Sequence, residues 1–249
     1  MIDGQAVIDF HGHCGRWDSL GGTDNISEYL HAMDAAGIDR SVLFEIFDPA
    51  GRPGNEHLAE WMAPHADRFI GFAYVSPLCP QTMTDVLTHA VDTLGFRGIK
   101  LYPPYIERTL DDACWEPVYE FADQRGLPII SHTGVEPSCH PDQWHGVVDR
   151  FPRATFICAH AGNIQPIRDQ AIRLARTHPN VMVETASSFR TPGVIEELVD
   201  TVGSDRILFG SDTPVMDPRI QLGKILTADI PDDAKRMITG GNAIKLLGL

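Results

Sequence analysis

The segment Asp9-Phe10-His11-Gly12-His13 closes an apolar run, Ala6-Val7-Ile8. Side chains two apart on a β-strand point to the same face, so His11 and His13 can aim both imidazoles at one metal ion. Gly12 lets the chain turn between them without a side chain in the way. The same pattern could equally be an ordinary surface strand end. Three further apolar runs end in metal-ligand residue types: Pro128-Ile129-Ile130-Ser131-His132, Phe156-Ile157-Cys158-Ala159-His160 and Ile207-Leu208-Phe209-Gly210-Ser211-Asp212. Any one of these histidines reads as readily as a satisfied core or loop residue. The recurrence at strand ends is what points to a shared site.

The elements that must position these residues alternate along the whole chain. Candidate strands are Ala6–Phe10, Ser41–Phe47, Phe69–Val75, Gly98–Tyr102, Pro128–Ser131, Thr155–Ala159, Val181–Thr185 and Ile207–Phe209. Helical patterns lie between them: Ile26–Ala36, Leu58–Ala66, Met83–Leu94, Cys114–Arg125, Gln143–Arg150, Ile167–Thr177, Val194–Val202 and Ile220–Leu226. Gly37, Gly95 and Gly126 stand where a helix stop is expected. Asp233–Thr239 and Ala243–Leu247 read as short closing helices. Strand–helix alternation implies right-handed parallel βαβ units. An open doubly wound sheet would alternate too, but this many units in one domain-sized chain favour closure. The expectation is a single-domain (β/α)₈ TIM barrel over residues 1–249 with short C-terminal closing helices. Such barrels carry their active sites at the C-terminal ends of the strands, where the histidines and Asp212 fall.

Composition sets the outer bounds. The chain has 249 residues, 43% of them hydrophobic, against about 250 for a typical barrel of this kind. Its 34 acidic and 20 basic residues give a net charge of −14, which repels phosphate backbones and argues against a nucleic-acid partner. No apolar run approaches the roughly 18 residues of a membrane span. The N-terminus lacks a basic stretch followed by an apolar run, so no secretory signal is expected. The 5 cysteines, without a Cys-x-x-Cys pair, do not form a disulfide framework or a typical structural zinc site. A reduced cytoplasmic location is the expectation.

The motifs taken together resemble a known family. Asp9-Phe10-His11-Gly12-His13, Ser131-His132-Thr133-Gly134, Ala159-His160-Ala161-Gly162 and Gly210-Ser211-Asp212-Thr213-Pro214 are similar to the amidohydrolase superfamily. More narrowly they resemble the amidohydrolase-related (amidohydrolase 2) branch. That branch includes aminocarboxymuconate-semialdehyde decarboxylase, resorcylate-type decarboxylases and lactone hydrolases. Asp67-Arg68-Phe69-Ile70-Gly71-Phe72, Gly98-Ile99-Lys100-Leu101 and Gly241-Asn242-Ala243-Ile244-Lys245-Leu246-Leu247-Gly248 extend the likeness over essentially the whole chain. The resemblance implies that His11, His13, His132 and Asp212 hold one divalent metal. It makes His160 the acid/base or electrophile.

Chemistry is consistent with that carry-over. Imidazole and carboxylate suit zinc, with manganese or iron also acceptable. Bound zinc lowers its water's pKa toward about 7. Asp212 could bind the ion through one oxygen and take the water's proton through the other. His160 could polarise a carbonyl or protonate a leaving group. Asp9, of the same parity as the two histidines, could orient a ligand or make a structural hydrogen bond.

Lys100 has the parity opposite to Ile99 and Leu101, which sends it into the barrel. A buried ammonium needs a partner or a role. Three readings stand: an ion pair with Glu45 or Glu184, a contact to a substrate carboxylate, or a carboxylated lysine bridging two metals. Tyr102 and Tyr105 flank Pro103-Pro104 and could line a pocket. Arg190 could clamp an anionic substrate, or be a solvated surface arginine. Cys139-His140 and His145, with Trp144 between, could form a lid or an ordinary polar loop. The thiolate of Cys14 could bind metal, but the family pattern gives it no role.

These features point first to a metal-dependent hydrolase that attacks an ester, lactone or amide of a small molecule through metal-activated water. The second reading is non-oxidative decarboxylation of a small aromatic or unsaturated carboxylic acid. A third, of a different class, is a catalytically silent, metal-stabilised binding subunit. The expected partner is a small-molecule carboxylic acid, lactone or amide, with a homo-oligomer also compatible.

Overall fold

The computed structural model describes residues 4–15, 24–161, 163–187 and 191–249. Its strands are β1 (Ile8–His13), β2 (Arg40–Phe44), β3 (Phe69–Gly71), β4 (Ala73–Tyr74), β5 (Ile99–Leu101), β6 (Pro128–Ser131), β7 (Thr155–Cys158), β8 (Val181–Glu184) and β9 (Ile207–Leu208). The helices are α1 (Ile26–Ala36), α2 (Arg52–Met62), α3 (Met83–Thr88), α4 (Glu116–Arg125), α5 (His145–Val148), α6 (Ile167–Thr177), α7 (Val194–Val202), α8 (Pro218–Leu226), α9 (Asp232–Arg236) and α10 (Asn242–Leu247).

All pairings between strands are parallel, in two runs, β1-β2-β3 and β4-β5-β6-β7-β8-β9. β3 and β4 are the halves of one expected strand, separated by Phe72. Phe72 N–H donates to Leu43 O at 2.8 Å, and Ala73 N–H donates to Gly98 O at 2.8 Å, so the chain changes neighbour at this point. On the other side, Phe10 N–H donates to Phe209 O, Asp212 N–H to His11 O and His13 N–H to Thr213 O, each at 2.8 Å. These bonds tie β1 to the chain around β9. The arrangement is the expected (β/α)₈ barrel.

Alternation along the strands splits the apolar residues into two layers. Ile8, Phe10, Val42, Phe44, Ile70, Phe72, Ile130, Ile157, Met182 and Leu208 form an inner cluster with Ala243 and Leu247 of α10. Ile99, Leu101, Ile129, Phe156, Cys158, Val181, Val183 and Ile207 belong to the outer cluster against the helices. Lys100 is fully buried with the parity opposite to Ile99 and Leu101, as expected.

Local sequence explains the helix ends. Asn25 accepts hydrogen bonds from Ser27 N–H at 3.0 Å and Glu28 N–H at 3.3 Å, and so caps α1. α2 starts at Arg52, ahead of the Leu58 expected from sequence, because Pro53 sits in the first turn, where proline needs no N–H partner. α3 passes into a π-helical turn at His89–Thr93, and α9 into another at Met237–Gly241. The Trp144 loop is not a lid. Trp144 is fully buried and donates to Tyr119 Oη at 3.0 Å, which makes it an anchor of the outer layer. Among the described residues, no helix is long and apolar enough to cross a membrane.

Candidate active site

β1 does not run evenly. Its pairing with β2 passes from Asp9↔Ser41 to Gly12↔Leu43, so one extra residue is accommodated in β1. The bulge changes the parity expected from sequence. Phe10 lies in the inner cluster, yet His11 and His13 also reach the barrel mouth. Gly12 faces outward, where a Cβ would come within 1.9 Å of Tyr29 Oη on α1. Its lack of a side chain serves strand–helix packing rather than a turn. Asp9 therefore does not share the histidines' face. Its Oδ1 accepts from His11 N–H at 3.1 Å and Ser211 N–H at 2.8 Å, and its Oδ2 accepts from Ser211 Oγ at 2.5 Å. Asp9 thereby ties the backbone of one candidate ligand to the neighbour of another, Asp212. Burial pushes the Asp9 carboxyl up to about 7, against the pull of these donors.

His11, His13 and Asp212 converge. Asp212 Oδ1 lies 3.5 Å from His11 Nε2 and 3.2 Å from His13 Nε2, and the ligand atoms of all three residues lie within 4.8 Å of one another. Burial pushes the Asp212 carboxyl up, but its hydrogen bond with His13 and its attraction to the surrounding His160, His13 and Lys100 nitrogens outweigh this and hold it below its ordinary value. Two imidazole nitrogens around one carboxylate oxygen are a donor set that fits a borderline divalent ion.

Glu184, at the end of β8, orients the first of these ligands. It is fully buried, and its Oε2 lies 2.9 Å from His11 Nδ1. The backbone N–H groups of His160 and Ala186 also donate to it. With Nδ1–H given to the carboxylate, Nε2 keeps its lone pair for a metal. Burial pushes the Glu184 carboxyl up to about 8; a dication next to His11 would act in the opposite direction. Gly210 makes room for this group, since a Cβ there would meet Glu184 Oε1 at 1.9 Å. From sequence, Glu184 is offered only as a partner for Lys100. Its parity with Met182, which faces the inner cluster, was the signal for a residue aimed at the site.

His132 and His160 share a cavity of about 220 Å³ with the converging ligands. His160 lies 4.6 Å from His11 and 4.9 Å from His132, ring centre to ring centre. Its Nδ1–H donates to Ala186 O at 2.5 Å, which leaves the Nε2 edge for the cavity. Burial pushes its imidazole down to about 3, so the ring is neutral. His132 is not within the tight cluster. Its Nε2 lies 3.7 Å from Glu136 Oε2, and its ring packs 4.9 Å from Tyr102. Tyr102 in turn packs 4.4 Å from the half-exposed Tyr105. Asn163, Ser187 and Met216 complete the lining and were not singled out by sequence.

Lys100 makes neither of the ion pairs expected from sequence. Its Nζ lies 3.3 Å from His11 Nε2 and 4.0 Å from the centre of the Phe44 ring. The carboxylate of Glu45 is occupied by Phe47 N–H at 2.7 Å and Asp48 N–H at 3.4 Å, while Glu184 serves His11 and His160. Burial pushes the Lys100 ammonium down to about 7, against the attraction of Asp212 and Glu184. Arg190, the expected clamp, lies outside the described residues.

His160 and Asp212 both adopt left-handed backbone, with φ of 61° and 64°. Non-glycine residues there cost roughly 1–3 kcal/mol each and persist where the surroundings over-determine them. The Asp212 N–H bond to His11 O and the His160 N–H bond to Glu184 do so here.

Comparison with known proteins bears on the family and the fold. An amidohydrolase family model matches residues 8–249. The chain is 22% identical over 234 residues to the 2-amino-3-carboxymuconate-6-semialdehyde decarboxylase of Dictyostelium discoideum, covering 78% of this chain and 65%, just under two thirds, of that protein. It is 24% identical over 258 residues to the gamma-resorcylate decarboxylase of Rhizobium sp. strain MTP-10005, covering 74% of this chain and 75% of that one. Among solved structures, a dihydroxybenzoic acid decarboxylase from Polaromonas sp. JS666, with bound manganese and the inhibitor 2-nitroresorcinol, superposes with a TM-score of 0.79 at 20% identity. That match covers 98% of this chain and 97% of the other, and the likeness is one of fold.

Proposed function

This chain belongs to the amidohydrolase family, and we propose that within it the protein is a metal-dependent, non-oxidative decarboxylase of a small aromatic carboxylic acid. The observation that carries the reading is the shared cavity. It sets a metal-binding donor set, a neutral histidine with one free ring edge and a buried lysine around one small volume with an aromatic wall. The decarboxylase relatives favour this reading over the hydrolysis first expected from metal-bound water. Both need the same ligands, which is why the residues alone did not separate them.

His11, His13 and Asp212 would hold the divalent ion, with His132 completing the set from the same cavity. Manganese, found in the solved relative, is as acceptable to these donors as zinc. When bound, the ion supplies a Lewis acid for the substrate's oxygens.

The chain's own residues do the rest. Lys100 faces the anionic oxygens of the substrate and offsets the charge of the ring oxygen once its proton has gone. Tyr102 packs against the ring plane. His160 Nε2 accepts the proton of a ring hydroxyl next to the carboxylate. The resulting phenoxide pushes electron density to the ring carbon that bears the carboxylate, and His160 returns the proton to that carbon. The C–C bond to the carboxylate then breaks, its electron pair restores the aromatic ring, and carbon dioxide leaves. Solvent restores the hydroxyl proton on release, so carboxylate plus proton gives arene plus carbon dioxide.

The test is a panel of ortho-hydroxybenzoates, lactones and amides offered to the manganese- or zinc-loaded protein in deuterium oxide. Carbon dioxide release with one deuterium on the ring carbon is expected. Cleavage of lactones or amides without carbon dioxide from any acid would overturn the proposal.

A further inference from the structure

A second group of ligand-type side chains lies beside the site, on the other side of the β1 end. Cys14 follows His13 directly but is buried away from the cavity, at 2% exposure. Its Sγ lies 3.7 Å from Asp24 Oδ1 and 3.8 Å from His57 Nδ1 on α2. His57 Nε2 lies 3.0 Å from Asp24 Oδ2. One ligand atom from each of the three residues falls within 4.8 Å of the other two. Glu45, 4% exposed, adds a second carboxylate whose charge reaches both Cys14 and His57.

These separations can be compared with those that a metal requires. Bonds of about 2.3 Å to sulfur and about 2.1 Å to nitrogen or oxygen, at tetrahedral angles, place sulfur about 3.6 Å from each neighbouring ligand atom. The observed 3.7 and 3.8 Å are within a few tenths of an ångström of that. The donor types also agree, since thiolate with imidazole selects zinc-like ions over magnesium or calcium. Access is open, because the His57 and Asp24 side chains are 46% and 21% exposed.

We infer that Cys14, Asp24 and His57 form a second site for a zinc-like divalent cation, separate from the His11–His13–Asp212 centre. The thiol gives its proton to solvent as the ion binds, and water fills the remaining position. The ion would fasten the chain just past His13 to α2, and so brace one flank of the first centre. The site holds whether or not the reaction proposed above is correct, because it uses none of the same side chains.

The experiment loads the full-length, chelator-stripped protein with cobalt(II). The His11–His13–Asp212 centre contains no sulfur, so a sulfur-to-cobalt charge-transfer band reports a thiolate site alone. Among the described residues, the other cysteine that belongs to a group of three ligand-type side chains is Cys139, with Sγ 3.5 Å from Glu136 Oε2 beside His132, and C139S controls for it. The band is expected in the wild type and in C139S, and its loss is expected in both C14S and H57A. Bound cobalt should fall from two ions per chain to one in these two variants. H57A alters a half-exposed side chain, so it guards against misfolding of C14S, and far-ultraviolet circular dichroism checks both. Folded wild type showing no such band at saturating cobalt overturns the inference. So does a band that survives C14S and disappears in C139S.

Discussion

Glu184 Oε2 and His11 Nδ1 stand 2.9 Å apart, both fully buried, on β8 and β1, two strands with only β9 between them. That contact decides which nitrogen of His11 faces the cavity. It also links two candidate roles, since the same carboxylate oxygen accepts from the backbone of His160 at 3.3 Å.

Glu184→Gln should therefore weaken metal binding without removing a ligand. An amide can present NH₂ to His11 Nδ1 and favour the wrong tautomer. Loss of such an orienting partner typically costs about 10- to 100-fold in metal affinity. Competition with a chromophoric chelator measures it; an unchanged affinity would show that His11 is oriented by something else.

His160→Asn separates proton transfer from coordination. Metal content and substrate binding should remain near wild type while turnover falls by ~10² to 10⁴-fold. A loss of metal as steep as that in His132→Ala would instead make His160 a ligand.

Lys100→Met should split activity from stability. The ammonium is wholly buried beside Phe44 and His11, an environment that favours an apolar chain of similar length. The thermal midpoint should hold or rise. Decarboxylation should fall by at least about 10-fold, as expected when a charge-assisted contact to substrate is lost. Full activity in the variant would remove Lys100 from the substrate's surroundings.

Asp9→Asn tests the seam between β1 and β9. The carboxylate accepts three hydrogen bonds, two of them from Ser211. An amide puts a donor opposite Ser211 Oγ, so the hydroxyl must turn its proton to Thr213 Oγ1, 2.7 Å away, and a bond to a charged acceptor becomes a neutral one in a buried setting, at a cost of about 1 kcal/mol. Chemical denaturation should show that loss, with weaker metal retention because Asp212 follows Ser211. Unchanged stability would mean the seam is held by its backbone bonds alone.

Chelation followed by remetallation gives the remaining check. Activity should vanish on stripping and return with manganese or zinc. Metal at 100 times its dissociation constant should restore about 2.7 kcal/mol of stability. Affinity should fall as the solution is acidified, because protons compete with the ion for His11 and His13. Activity that survives stripping would remove the metal from the mechanism.

Much of the architecture was legible because it rests on periodicity. Lys100 could be placed inside from the apolar parity of Ile99 and Leu101, and α1 could be ended at Gly37 from one residue type. Where a single residue breaks the period, the sequence is silent. The bulge in β1 turned Asp9 away from His11 and His13, and no composition signal marks it. The helix expected from Leu58 begins at Arg52, because Pro53 in the first turn is a helix starter. The roles of Glu184 and Glu136 depend on pairs far apart or in loops, and single-strand alternation does not predict which carboxylate meets which imidazole. The reaction itself was not legible, because hydrolysis and decarboxylation ask for the same ligands.

The seam that Asp9 bridges spans 202 residues of sequence. His11 and His13 are synthesised ahead of Asp212, which joins them only when β9 has been added. A ribosome-bound chain ending before β9 thus has its first histidine pair but not the carboxylate between them. A metal centre held by these residues would be completed only after β9 is in place, as a consequence of where its parts lie in the chain. A C-terminally truncated product that still reached β8 would carry most of the barrel's core with its metal-binding group incomplete. Metal retention would then distinguish finished chains from unfinished ones, in a way that overall helix content would not.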